Sequence, residues 1–308
     1  MQRTHTVFVV GAGASASYGF PVGWNLVQRL VRSAHKGVES PTFRTLLDCG
    51  HQHADVVAFA EALRRSGRTS IDAFLEGRPD FDALGRRAIA AALIPFETVA
   101  NLFSVERDDD WLRYLCQFIV GGRATFEGRE VSIVTFNYDR TIEHFFASAL
   151  QGGFGLTEAE AADRMRHLEV IHVYGQLGDL PWQSGEYQRA FEPSATAQAV
   201  VAAADQIRII HQADETRDEG LHRARAVLSV AKRVVFLGFG YHPTNLRRLG
   251  LNMTMDGAPE LLGSAYGLLD GERQTVLDLL NRRIKLYDGQ CRCRATLQSI
   301  ALGNWWRP

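Results

Sequence analysis

The sequence predicts an α/β protein built on a Rossmann-like parallel sheet of about six strands, with a helical insertion. Three observations predict it. Val7-Phe8-Val9-Val10 is a continuous apolar run rich in β-branched residues, the mark of a strand buried on both faces. That run empties into Gly11-Ala12-Gly13, which lets the backbone turn tightly and approach whatever lies above it. Similar runs recur at 131–136, 170–175 and 233–237, separated by stretches of helical periodicity.

The glycine loop continues as Ala14-Ser15-Ala16-Ser17-Tyr18-Gly19-Phe20-Pro21. Ser15 and Ser17 suit a helical turn whose free N–H groups attract phosphate, and Ala16 completes the dinucleotide fingerprint. The usual second strand with a ribose-binding acid is missing. Instead a helix is expected over 24–35, with Trp24, Val27, Leu30, Val31 and Ala34 on one face, and Glu39 falls in a polar loop. Residues 42–125 read as a helical insertion within a single domain spanning 1–308. Asp55 caps one of its helices, Thr69 or Ser70 the next, and Pro95 kinks or divides a helix over 82–103. Asp108-Asp109-Asp110 precede the helix that opens at Trp111, so they read as a cap suited to its dipole.

The strand at 131–136 delivers Asn137-Tyr138-Asp139 to its C-terminal end, where open α/β sheets place their ligands. Asp139 also suits the cap of the following helix, and Asn137 a turn. In the strand at 170–175, alternation puts His172 and Tyr174 on one face. The loop from Gln176 to about Pro193 is long enough to act as a lid. A helix from about Ala195 leads into 206–210, either a short strand or the helix's end. A helix over 219–232 turns Leu221, Ala224, Leu228 and Ala231 inward. The next strand ends in Gly238-Phe239-Gly240, and strands at 264–269 and 283–287 complete the sheet.

The chain of 308 residues, 46% apolar and 22% charged, has the composition of a globular domain. Its net charge of −1 argues against a broad basic surface for nucleic acid. No apolar run approaches a membrane span, and Met1-Gln2-Arg3-Thr4-His5 leads directly into a strand without a signal peptide. The four cysteines, Cys49, Cys116, Cys291 and Cys293, make no disulfide framework at this size, so a reducing cytoplasm is expected. No zinc is expected either. Cys49-Gly50-His51-Gln52-His53 lacks a distant fourth ligand, and Cys291 and Cys293, expected on a strand-like segment, lack a second pair.

Four of these segments resemble the sirtuin superfamily, in particular its bacterial SIR2-like branch: 11–21, Thr135-Phe136-Asn137-Tyr138-Asp139, the His172 to Gly175 segment, and 233–246. Ser70-Ile71-Asp72-Ala73-Phe74-Leu75-Glu76 is similar to a segment of that branch's helical region. The resemblance implies a pocket for NAD, taken as substrate, bound by Gly11, Ala12, Gly13, Ala14, Ser15, Phe20, Pro21, Asn137, Tyr138, Asp139, Tyr174, Gly238, Phe239, Gly240 and Asn245. It implies catalysis by Asn137, Asp139 and His172: Asn137 orienting ribose and water, Asp139 holding the carboxamide or hydroxyls, His172 acting as general base. One departure stands out. The family's base directly precedes the glycine, where this chain has Tyr174.

The reaction so implied is hydrolysis of the nicotinamide–ribose bond to nicotinamide and linear or cyclic ADP-ribose, in a defence effector that depletes NAD on phage infection. Its partners would be further copies of itself, a HerA-type ATPase or a short Argonaute. A non-catalytic NAD or ADP-ribose sensor is the competing reading. A protein deacylase fits less well, because no Cys-x-x-Cys pair is present.

Overall fold

A computed structural model describes residues 5–122, 124–127, 130–185, 187–211, 215–216, 218–251 and 258–300. Six parallel strands form one sheet: β1 (Thr6–Val10), β2 (Val131–Thr135), β3 (Glu169–His172), β4 (Arg233–Leu237), β5 (Glu260–Gly263) and β6 (Ile284–Leu286). Their spatial order is β3-β2-β1-β4-β5-β6, with helices packed against the sheet. This is a Rossmann-like α/β fold, and the order reverses between β1 and β4, opening a crevice above their C-terminal ends. β1 is central because Val7 to Val10 are completely buried, and each pairs with both neighbours; Phe8 stands level with Ile133 and Val235.

The connection from β1 to β2 carries helices Gly23–Lys36, Pro41–Asp48, His53–Arg65, Ile71–Leu75, Asp82–Leu93, Val99–Leu102 and Trp111–Ile119. They share one hydrophobic core with the strands, into which Phe43, Phe59, Leu63, Ile89 and Leu112 are packed. The expected helix over 82–103 is divided. Pro95 has no N–H to continue the ladder, and a 3-10 turn at Ile94–Phe96 takes its place. Trp24 is half exposed rather than inward, since Leu26, Val27, Leu30 and Ser33 take the buried face of that helix. Gln52, not Asp55, is the residue preceding helix His53–Arg65, with Asp55 in its first turn. Of the three consecutive acids, Asp110 caps the next helix through the Arg113 N–H, while Asp109 accepts from Ser17 Oγ and the Arg294 N–H.

Two strand expectations shift, and at 206–210 the helix's end is the alternative realised. The apolar pair Leu261-Leu262 forms β5, and 264–269 follows it as a loop. There the Ser264 hydroxyl accepts from the Gly238 N–H, which leaves that stretch beyond the ladder. Cys293 opens a helix, Cys293–Ser299, so Cys291 and Cys293 do not share a strand face. Helix Ala197–Gln206 ends before Ile207, which makes a single antiparallel bridge to Gly175.

The loop after β3 is pinned rather than free. Arg140 and Glu97, both fully buried, pair with Nε–Oε1 at 2.9 Å. Arg140 also donates to the carbonyls of Asp179 (3.2 Å), Arg189 (2.8 Å) and Ala190 (3.0 Å), and Arg189 pairs with Glu97. A buried guanidinium holding three loop carbonyls anchors this segment to the core at Asp179, Arg189 and Ala190, while Pro181, Ser184, Tyr187 and Gln188 between them stay exposed.

Candidate functional site

The two glycine loops meet above the crevice. The Gly11 N–H donates to Leu237 O (3.0 Å) and the Gly13 N–H to Gly238 O (2.9 Å). A Cβ on Gly11 would stand 2.6 Å from Gly238 O, and one on Gly13 would stand 2.9 Å from the same atom. Gly238 itself has φ +56° and abuts the Ala14 N–H. The close approach that these glycines permit is therefore of one loop to the other. Gly13→Val should consequently lower the melting temperature strongly, by the several degrees that overpacking of about 1–3 kcal/mol produces. A variant as stable as the parent in thermal denaturation would show that the loops separate freely.

Two adjoining cavities flank Ala12 and Gly23. The larger, about 560 Å³, lies over the glycine loops and is lined by Ala12, Gly13, Gly238, Phe239, Gly240 and Tyr266, among others. That is a size suited to a cofactor or small ligand. The smaller, about 80 Å³, lies over the end of β2 and is lined by Ser15, Phe20, Pro21, Asp72, Asn137, Tyr138 and Asp139. Gly11, Ala14, His172, Tyr174 and Asn245 line neither. Gly11 and Ala14 sit behind the wall, their carbonyls taken by Asn137 Nδ2 and Trp111 Nε1.

Asn137 is oriented by every other polar atom it has. Its Nδ2 donates to Gly11 O (3.0 Å) and Ser15 Oγ (2.8 Å), and its N–H to Thr135 Oγ1 (3.1 Å). The remaining atom, Oδ1, is buried without a partner among the described residues. Ser15 passes the hydrogen bond on to Asp139, whose Oδ1 also accepts from the Thr141 N–H (3.2 Å) and hydroxyl; the cap position of helix Thr141–Phe154 itself falls to Arg140, so Asp139 stands one residue before the cap expected of it. Burial pushes the Asp139 carboxyl above its ordinary range, against the pull of Thr141, Ser15 and nearby His172.

A carboxyl raised in the fold costs stability as pH rises above its unfolded pKa, about 3.9, because the folded state then holds the proton more tightly than the unfolded one. Asp139→Asn is therefore expected to melt higher than the parent at pH 7 and to lose that advantage near pH 3. A lower melting temperature at pH 7 would show that the carboxylate stabilises the fold.

His172 is not free to act on the cavity. Its Nδ1 donates to Asn137 O (2.8 Å) and its Nε2 pairs with Glu143 Oε1 (2.7 Å). Burial opposes the charged ring, but Glu143 and the Asn137 carbonyl outweigh it and hold the imidazole pKa above its ordinary value. The ring positions the Asn137 backbone. Nor do His172 and Tyr174 share a face as alternation predicts. β3 ends at His172, and Val173-Tyr174 form a turn closed by the Gly175 N–H on His172 O (3.3 Å). The Tyr174 hydroxyl then donates to Asn245 Oδ1 (2.8 Å) and accepts from Arg248 Nη1 (2.7 Å). Burial raises its pKa, so it is no base at neutral pH.

Sequence reasoning did not single out Asp72, Glu143 or Arg248. Asp72 lines the smaller cavity and accepts from the Tyr138 hydroxyl; helix Ile71–Leu75, capped by Ser70 Oγ, presents it. Arg248 is fully buried, paired with Glu215 (3.0 Å) and Glu76 (2.7 Å), and no local pattern announces it. Among the described residues no group of three or more His, Cys, Asp or Glu side chains is placed to hold a metal ion, and no helix is long and apolar enough to cross a membrane. No protein-family model and no curated protein matches the chain.

Proposed function

We propose that the paired cavities bind NAD and that the site hydrolyses its nicotinamide–ribose bond. One observation carries this reading: Asn137 is locked, with an Oδ1 that has no partner among the described residues, beside a buried carboxyl in a small chamber that adjoins a cofactor-sized cleft. The ADP half would occupy the cleft over the glycine loops, and the reacting end of NAD would meet the mouth of the smaller chamber, which at about 80 Å³ does not enclose ring and ribose together.

The C1′–N bond breaks with its electron pair passing to the pyridinium nitrogen, so nicotinamide leaves neutral and needs no general acid. Positive charge develops on the ribose, and water adds at C1′. Asn137 Oδ1 would accept a hydrogen bond from that water or from a ribose hydroxyl. The base expected at His172 is reassigned to Asp139, because the imidazole has both nitrogens engaged whereas Asp139 lines the smaller chamber. That same engagement of His172 favours the sensor as the second reading. The similarity to SIR2-like proteins supports a cytoplasmic effector of anti-phage defence, self-assembled or activated by a HerA-type ATPase or short Argonaute.

The test is to incubate the pure protein with NAD, alone and with such a partner, and to separate the products chromatographically. Nicotinamide together with ADP-ribose, linear or cyclic, is the expected result. Saturable NAD binding without turnover under every condition would leave the sensor.

A further inference from the structure

A third cavity, about 690 Å³, opens along the outer edge of β3, away from the glycine loops. Val170, Ile171 and His172 of the strand contribute to one wall, and Trp182 of the pinned loop to another. Its charges are unevenly committed. Arg208 Nη2 holds the His172 carbonyl (2.6 Å), Arg223 pairs with Glu169 (3.2 Å), and Arg166 pairs with Asp163. Asp179 is satisfied by Gln176 (2.9 Å) and Gln206 (2.5 Å). Asp205 and Glu219, by contrast, make no ion pair with a described residue and are exposed at the cavity.

Glu143 decides the chemistry. Its side chain is 4% exposed; Oε1 is bound to His172, and Oε2 has no partner among the described residues. Glu143 lines the cavity, and a buried carboxylate oxygen without a donor favours a ligand that brings an N–H bearing positive charge to that side chain. Trp182 offers an aromatic surface of the kind that attracts cations.

We propose that this cavity binds a small organic cation, an amine or a guanidine, recognised by Glu143 Oε2 and sensed by His172. Charge placed on Oε2 weakens the grip of Oε1 on the imidazole, whose other nitrogen sets the Asn137 carbonyl. Occupancy would thereby change NAD affinity at the neighbouring site, a coupling that rests on the functional reading above.

Calorimetry on the full chain without NAD tests the binding, with agmatine as the guanidine probe and putrescine as the amine probe. One-to-one saturable binding by at least one probe is expected, and the better probe identifies the class. Glu143→Gln should weaken it roughly tenfold or more, as expected for loss of a charge-assisted hydrogen bond. Asp205→Asn, on the exposed rim, should weaken it less without moving the melting temperature, and serves as the reporter if Glu143→Gln does not fold. The His172 imidazole nitrogen resonances should shift on saturation.

Failure of both probes to bind at millimolar concentration, or equal binding by parent and both variants, overturns the site. So does retention only of a basic peptide or partner protein. Saturation without a His172 shift overturns the relay. NAD titrated with and without probe separates the two proposals. Unchanged NAD affinity removes the coupling alone, and absence of NAD binding in both arms removes the functional reading while the cation site stands.

Discussion

Asn137→Ala should lower NAD turnover by roughly two orders of magnitude or more, the scale on which loss of one preorganised polar group acts. The substitution removes Oδ1, which has no partner among the described residues, and both Nδ2 hydrogen bonds, to Gly11 O and to Ser15 Oγ. Ser15 then loses the donor that orients it toward Asp139. Binding should weaken as well, since the chamber wall loses an acceptor that meets the ribose or water. The cost to the fold should be modest, about 1 kcal/mol per lost neutral hydrogen bond. Steady-state kinetics beside urea unfolding would separate the two effects. A variant that folds and hydrolyses NAD at the parent's rate would place the reaction elsewhere in the molecule.

Glu97→Ala should produce the largest loss of stability, about 3–5 kcal/mol, because it strands a fully buried guanidinium. The pair itself need not be a strong net stabiliser, since desolvating two charges offsets most of their attraction. Removing one partner exposes that whole penalty. Arg189 also loses its carboxylate, and the loop carbonyls of Asp179, Arg189 and Ala190 remain bonded only to a destabilised Arg140. Denaturant unfolding should show the shift in midpoint, and limited proteolysis should begin cutting between 177 and 193. Parent-like stability would mean that water or another group solvates Arg140. Persistence of protease resistance would mean that the loop is held by its apolar contacts, with Leu177 and Leu180 as the anchors.

The chamber shows how far local sequence reaches. Asn137, Tyr138 and Asp139 were legible because a strand buried on both faces must end where its apolar run ends, and the next polar residues stand at the sheet's C-terminal edge. Phe20 and Pro21, which follow the glycine loop in sequence, line the same chamber. His172 was legible as a residue type at a strand end but not in its role. That role depends on Glu143, which comes from the helix Thr141–Phe154 and meets the imidazole only after β2 and β3 pair. Alternation puts Tyr174 on the His172 face only if the strand continues, and the turn at Val173-Tyr174 ends it at His172. The glycine spacing correctly marked a close approach, but its partner was the backbone at Gly238.

The sequence by itself determined the class of fold and the strands β1 to β4 and β6. These follow from short-range patterns, because a run of apolar residues must leave water whatever its neighbours are. Only the tertiary structure decided which charged groups are buried together. Glu97 meets Arg140 across 43 residues, and Arg248 meets Glu76 across 172. Such partners are matched by geometry: a buried charge is tolerated wherever folding brings an opposite charge and hydrogen-bonding groups within reach, and no local periodicity encodes that meeting.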